Sequence, residues 1–243
     1  MDDHELAAAA AAEAGELLLG LRARGATRDE ADATSNERIL ATLRAARPDD
    51  AILSEESKDD LVRLERERVW IVDPLDGTRE FGEDGRSDWA VHVALVVNGT
   101  PEASAVALPA DGGLVLATGT PPALAPPVPG PPRLLVSRSR PPALAGHLAE
   151  VLGAELVPLG SAGAKAMAVV RGAADVYAHS GGQYEWDSAA PVGVARAAGC
   201  HCSRLDGAPL VYNRPDPYLP DLLICRPELA DAVLAAVAAA PAG

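Results

Sequence analysis

The sequence predicts a mixed fold, an α+β first half joined to an α/β second half. Three observations predict it. Two helical stretches are followed by strands in succession, residues 121–132 hold seven prolines, and beyond them strand and helix patterns alternate. At 243 residues the chain suits one large domain or two small ones sharing a core, and the proline-rich stretch divides it into subdomains 1–132 and 133–243.

The elements follow in order. Residues 5–22 form an amphipathic pattern, with Leu6, Leu17, Leu18 and Leu21 available for a buried face and Gly25 near its end. A polar stretch, 26–33, leads to a second helix over 34–46 that Pro48 stops. Residues 51–53 are a short strand running into Ser54-Glu55-Glu56-Ser57, and the charged residues 58–68 form helix or loop. Residues 69–72 are continuously apolar, the mark of a buried strand, which ends at Asp73-Pro74. Residues 89–97 make the next strand, Asn98-Gly99 is a hairpin signal, and 103–108 and 114–118 extend the sheet. In the second half, strands over 134–136, 155–159, 176–179 and 201–205 alternate with helices over 142–152, 161–171 and 187–198. A last alanine-rich helix spans 228–240.

Composition narrows the function. With 48% hydrophobic and 23% charged residues the chain is an ordinary globular protein, and with only 3% aromatics its core must be aliphatic. A formal net charge of −14 argues against a nucleic acid polymer as partner, because phosphate backbones need basic surface. A small anionic substrate would need local positive charge from metal ions, Lys or Arg. Three cysteines without a disulfide framework point to reduced thiols and a cytoplasmic protein. Cys200-His201-Cys202 lacks the second ligand cluster of a zinc site and reads as buried strand. The acidic Met1–Glu5 start and an alanine run broken by Glu13 and Glu16 suit neither a signal peptide nor a membrane span.

The most informative stretch is Asp73-Pro74-Leu75-Asp76-Gly77-Thr78. A buried strand delivers Asp73 to its carboxyl end, and Pro74 turns the chain there. A tight turn brings Asp76 to the same side, with the Leu75 carbonyl between them. Two carboxylates and a carbonyl are hard oxygen ligands suited to Mg²⁺, and without a cation the carboxylates would repel one another. Gly77 and Thr78 let a helix begin whose free N–H groups would face a phosphate. A capped turn without chemistry is the bland alternative. The covalent phosphatases of the haloacid-dehalogenase type carry Asp-x-Asp-Gly-Thr, and the one additional residue here changes the faces of the two carboxylates.

Extended back to Trp70 and on to Phe81, this stretch resembles the first signature of the inositol monophosphatase superfamily of metal-dependent, lithium-sensitive phosphatases. Glu185-Trp186-Asp187-Ser188-Ala189-Ala190-Pro191 resembles the second, and Ser54-Glu55-Glu56-Ser57 fits the element before the first. The resemblance implies a layered αβαβα sugar-phosphatase fold with the site between the halves. It implies that Glu55, Asp73, Asp76, Asp187 and the Leu75 carbonyl ligate two to three Mg²⁺ ions. Thr78 and Glu55 would orient the attacking water, with Asp76 beside them, and Li⁺ would inhibit. Gly77-Thr78-Arg79-Glu80-Phe81, Gly160-Ser161-Ala162-Gly163-Ala164-Lys165 and Asp206 to Asn213 resemble the branch of CysQ-type 3′(2′),5′-bisphosphate nucleotidases. Substrate contacts are then expected from Asp76, Gly77, Thr78, Arg79, Ser161, Lys165 and Trp186. The family's Lys at the end of the first helix and its Ser-Pro-Val-Thr are missing, leaving Arg22, Arg24 or Arg28 to stand in and Asp32 as a candidate for a weaker metal position. No glutamate near Ser180 matches the one that binds inositol hydroxyls.

The expected activity is hydrolysis of the 3′-phosphate of 3′-phosphoadenosine 5′-phosphate to AMP, in sulfur assimilation. Inositol 1-phosphate or fructose 1,6-bisphosphate is the nearest alternative, since substrate choice lies in loops. A non-catalytic metal or nucleotide sensor is the alternative of another class, opposed by the presence of every expected carboxylate. Dimers are common in the family, so a homodimer is admitted, while the sequence itself gives no oligomeric state.

Overall fold

The computed structural model of the chain describes residues 1–139 and 141–240. Helices α1 (Asp3–Ala23) and α2 (Arg28–Ala46) precede β1 (Ala51–Ser54), β2 (Arg68–Asp76), the one-turn α3 (Thr78–Phe81), β3 (Ala90–Val97), β4 (Thr100–Leu108) and β5 (Leu114–Ala117). After the proline-rich stretch come β6 (Arg133–Ser137), α4 (Ala143–Leu152), β7 (Glu155–Leu159), α5 (Ala162–Val170) and β8 (Val176–Tyr184). The chain continues as α6 (Glu185–Ala197), β9 (His201–Ser203), β10 (Tyr218–Cys225) and α7 (Ala230–Ala238).

Two five-stranded sheets result, ordered β1-β2-β3-β4-β5 and β7-β6-β8-β10-β9. Both are mixed. Only β1–β2 is parallel in the first, while β6 is parallel to β7 and β8 in the second and β10 antiparallel to β8 and β9. Three buried apolar clusters set the layers. Leu6, Leu18, Leu21, Ile39 and Leu43 of α1 and α2 pack on Trp70, Val72, Val91 and Val93 of the first sheet. Ala166, Val169, Val192 and Val194 of α5 and α6 pack between Ile71 and Val106 on one side and Leu135 and Ile224 on the other. Leu148 and Val233 of α4 and α7 cover Leu134, Val176 and Leu223. The succession is αβαβα, as expected, and its middle helical layer touches both sheets. No helix among the described residues is long and apolar enough to cross a membrane.

Four differences from the expected elements bear on the site. Helix α2 begins at Arg28, because the Thr27 side chain caps it by accepting from Glu30 N at 3.2 Å and acidic Asp29 and Glu30 suit its first turn. Asp32 therefore sits on a helix and not in a polar loop. Strand β2 runs past Pro74 to Asp76, and β8 runs past His179 to Tyr184. Strand β10 was hidden in the sequence by its proline. Pro220 falls where the ladder with β8 skips between Leu219 and Asp221, so its missing N–H breaks no regular pairing. β10 makes half of the pairings in the second sheet antiparallel. Asn98 and Gly99 both have positive φ (49° and 80°), which the tight β3–β4 hairpin requires.

Candidate metal centre and substrate cleft

The end of β2 is irregular in a way that sets its chemistry. Asp73 pairs with His92 and Asp76 with Ala90, so three steps on β2 match two on β3. Residues three apart in an unbroken strand point to opposite faces; one bulged residue restores both carboxylates to one side. Pro74, which has no N–H to pair, lies inside the bulge, and its carbonyl accepts from Ser35 Oγ of α2 at 2.8 Å. Asp73 Oδ1 accepts from Leu75 N at 3.0 Å, and the Leu75 carbonyl accepts from Thr78 Oγ1 at 3.2 Å. Gly77 turns the chain at φ 88°, and a Cβ there would lie 3.1 Å from Ser161 Cβ and 3.2 Å from the Asp88 carbonyl. Glycine permits both the turn and the close approach of residues 160–163.

Asp187, third residue of α6, supplies the next carboxylate, and its Oδ2 accepts from Tyr184 N at 2.6 Å. One ligand oxygen each from Asp73, Asp76 and Asp187 lie within 4.8 Å of one another. These three acidic groups can hold one metal ion. Glu55, just after β1, stands outside this trio, and its backbone N–H donates to the Val72 carbonyl at 3.2 Å. Asp32 is buried; its Oδ2 is 3.5 Å from Thr78 Oγ1, and its Oδ1 has no hydrogen-bond partner among the described residues.

The charges in this cluster oppose one another. Burial, followed by the charges of Glu55, Asp76 and Asp187, pushes Asp73 well above the usual carboxylate range. Much of Glu55 is open to solvent, yet burial at its carboxylate and the charges of Asp187 and Asp76 push it up to about 7. Asp187 is pushed to about 6 by burial and Asp76, and Asp32 to about 7 by burial and Glu56. Buried carboxylates of this kind hold protons near neutral pH or hold a cation. Oxygen donors, like charge and an orphaned oxygen on Asp32 all fit a hard divalent cation.

Asp76 is the exception. Burial would raise it, but His92 and Ser161 outweigh burial and hold it at about 2. The first turn of α5 closes on this carboxylate. Ser161 Oγ and Gly163 N donate to Asp76 Oδ2, the latter at 2.7 Å, and Ala162 N donates to Oδ1 at 3.2 Å. His92 Nε2 lies 3.2 Å from Asp76 Oδ2. Its Nδ1 is 3.0 Å from the Trp186 carbonyl, which can only accept, so Nδ1 carries a proton. Burial would discharge the ring, yet Asp76 favours its cationic form. Gly163 makes room, since a Cβ there would stand 2.1 Å from His92 Nε2.

His92 was not singled out from the sequence, although the signal is present: one histidine interrupts the apolar run 90–97, directly across the ladder from Asp73. Of the expected site residues, Asp76, Gly77, Thr78, Arg79, Ser161, Lys165 and Asp187 line one cleft of about 810 Å³. Lys165 is buried in α5, its Nζ donating back to the Gly160 and Ser161 carbonyls and standing 5.2 Å over the Tyr177 ring. Burial lowers its pKa, against the pull of Asp76 and Glu80. The Trp186 ring does not line the cleft; it stacks behind Tyr184, which does. Arg22, a possible stand-in for the missing lysine, donates to the Arg86 carbonyl at 2.8 Å and lies over the rings of Phe81 and Trp89. It thus fastens the loop after α3 and holds no part of the carboxylate cluster. The three cysteines are free and their thiols are pushed up by burial, Cys200 to about 11 and Cys225 to about 12.

Comparison with known proteins matches the sequence profile of the inositol monophosphatase family to residues 4–123 and 134–241. The chain is 55% identical over 239 residues to a 3′-phosphoadenosine 5′-phosphate phosphatase of Mycobacterium bovis, covering 93% of this chain and 90% of that one. It is 31% identical to the 3′(2′),5′-bisphosphate nucleotidase CysQ of Escherichia coli over 78% of this chain and 80% of that protein. Among solved structures it is similar to CysQ from Bacteroides thetaiotaomicron, with a TM-score of 0.78 and 28% identity over 92% of this chain and 96% of that one.

Proposed function

The chain belongs to the inositol monophosphatase family, and from that premise we propose that it is a Mg²⁺-dependent phosphatase converting 3′-phosphoadenosine 5′-phosphate to AMP and inorganic phosphate. The observation that carries this reading is the 55% identity across nearly the whole chain to phosphatases of that substrate, joined to an intact carboxylate cluster. This reading supports a role in sulfate assimilation, where 3′-phosphoadenosine 5′-phosphate would be the by-product to be cleared.

Asp73, Asp76, Asp187, Glu55 and the Leu75 carbonyl are the groups that would hold Mg²⁺, with Asp32 available to a further ion, two to three in all. When bound, the cation lowers the pKa of water and neutralises charge on the phosphate and leaving oxygen. The chain's own residues do the rest. Glu55, beside the carboxylate trio at the end of β1, would help orient the attacking water. Thr78 Oγ1, tied to the Leu75 carbonyl at 3.2 Å, orients that water. His92 and the first turn of α5 keep Asp76 ionised and fixed. Lys165 and Arg79 line the cleft and counter the substrate's charge, which the acidic surface would otherwise repel. No residue of the chain needs to become phosphorylated.

The test is phosphate release by the purified protein in Mg²⁺ from 3′-phosphoadenosine 5′-phosphate, inositol 1-phosphate and fructose 1,6-bisphosphate, with and without Li⁺. A kcat/KM for the nucleotide at least about tenfold above the others, lost in Li⁺, is the expected outcome. A preference for either sugar phosphate refutes the substrate assignment, and release from none of the three refutes the reading of the centre as catalytic.

A further inference from the structure

Aromatic side chains are rare here, and their placement is uneven. The chain has three Trp, four Tyr and one Phe. Trp70, Phe81, Trp89, Tyr177 and Tyr212 are buried in the core. Of the remaining three, Tyr184 and Tyr218 stand at one wall of the substrate cleft and Trp186 stacks behind Tyr184. Tyr184 and Tyr218 line the cleft and are 46% and 45% exposed, large surfaces for rings that a stable core would cover.

Their arrangement is built, not incidental. Tyr218 and Tyr184 are paired across β10 and β8. Their ring centroids are 6.0 Å apart with planes at 79°, and Trp186 stacks on the other side of the group, 4.7 Å from Tyr184 at 11°. A flat group lying on either tyrosine face therefore meets the second ring nearly at right angles. The Tyr218 ring lies over Gly182, where a Cβ would come within 2.2 Å of its hydroxyl; Gly182 has φ 86°. Tyr184 also donates its backbone N–H to Asp187, so the corner is joined to the metal centre through a single hydrogen bond. Beside it, Gln183 is buried, lines the cleft, and has an amide nitrogen with no hydrogen-bond partner among the described residues. That unmet donor, next to two open rings, fits a flat heteroaromatic group carrying acceptor nitrogens.

We propose that Tyr184 and Tyr218, backed by Trp186, form the platform that receives the purine base of the substrate. The proposal rests on the nucleotidase reading above and supplies its specificity. Loss of one base-stacking ring weakens nucleotide binding by roughly 5- to 150-fold.

The test uses AMP as probe and the intrinsic fluorescence of the full chain. Trp70 and Trp89 are fully buried, so a change on binding reports Trp186. Tyr218→Leu and Tyr184→Leu are expected to weaken AMP binding within that range, while Tyr218→Phe, which keeps the ring face, stays within about twofold of wild type. Because both tyrosines are half exposed, both leucine variants should keep the wild-type melting temperature, and Tyr218→Leu is sufficient alone if the other does not. The kcat/KM for 3′-phosphoadenosine 5′-phosphate should fall by the same factor as binding, and that for the abasic 1-deoxyribose 3,5-bisphosphate by less than about twofold. Leucine variants that bind AMP as tightly as wild type, or lose nucleotide and abasic substrate equally, overturn the platform. Wild-type protein that binds AMP but releases no phosphate from the nucleotide overturns the nucleotidase reading and leaves the platform to be judged on binding.

Discussion

Raising the pH from 6 to 8 without divalent cation forces Glu55 and Asp187 to ionise against Asp76 and one another. The consequence for cation binding can be worked from their environments. At pH 6.5 a group titrating at about 7, as Glu55 does, is about three-quarters protonated, and one titrating at about 6, as Asp187 does, about one-quarter. Asp73, pushed well above the usual range, still holds its proton. Mg²⁺ seated among them must therefore displace about two protons at pH 6.5, and fewer than one at pH 8.5 unless Asp73 stays protonated that far. Each proton displaced makes affinity rise about tenfold per pH unit. Calorimetric titration with Mg²⁺ in two buffers of different ionisation heat reads the protons directly. The expected result is release of about two protons at pH 6.5, with a Kd that drops at least about tenfold between pH 6 and 7 and less steeply above pH 8. A Kd independent of pH over this range, with no buffer-dependent heat, would refute the assignment of these carboxylates as the cation's ligands.

The same shifts dictate stability. Asp32 is raised from 3.8 to about 7, so the folded state keeps its proton longer than the unfolded chain does. Stability from this group is full below pH 4 and is lost as pH rises toward 7, by at most roughly 4 kcal/mol; the melting temperature of the cation-free protein should fall between about pH 4 and 7, and Asp32→Asn should blunt the fall. Asp187→Asn and Asp76→Asn should each abolish turnover while circular dichroism stays native, since each removes a ligand charge but no core volume, and wild-type activity in either would refute its role. His92→Asn should lower kcat by about tenfold or more by loosening Asp76, whose partner at 3.2 Å it is; an unchanged pH–rate profile and kcat would argue against it. Gly163→Ala drives a methyl group toward His92 and should cost about 1–3 kcal/mol in chemical denaturation, with loss of activity.

Much of this centre was legible because it depends on local chain chemistry. Asp73, Pro74, Asp76 and Gly77 announce a strand that stops pairing regularly, and hard oxygen ligands follow from residue type alone. The layered fold was legible through its family signatures, while its helices followed from apolar periodicity. What escaped depended on partners far along the chain. His92 acquires its role from a register with β2 and from Gly163, which no window of sequence contains. β10 was masked by Pro220, harmless only because the ladder already skips there. Ser161 was read from the sequence as a substrate contact, but not the grip that it and the rest of the first turn of α5 take on Asp76. The start of α2 was misplaced because Thr27 capping outweighs the polar composition of residues 28–33. Trp186 was expected among the substrate contacts, but its alternation with Tyr184 at the strand–helix junction puts the tyrosine at the cleft.

The hold of α5 on Asp76 also bears on how the chain reaches its folded state. Asp73 and Asp76 lie on one hairpin-linked sheet, whereas the donors at Ser161 to Gly163 and the carboxylate of Asp187 arrive more than 80 residues later. Until the two sheets close on the middle helices, the acidic groups are spread along a solvated chain and scarcely feel one another. Their repulsion is met only at closure, after the local hairpins have formed. A divalent cation present during refolding should therefore speed the late step of sheet closure and leave the early growth of secondary structure at its own pace.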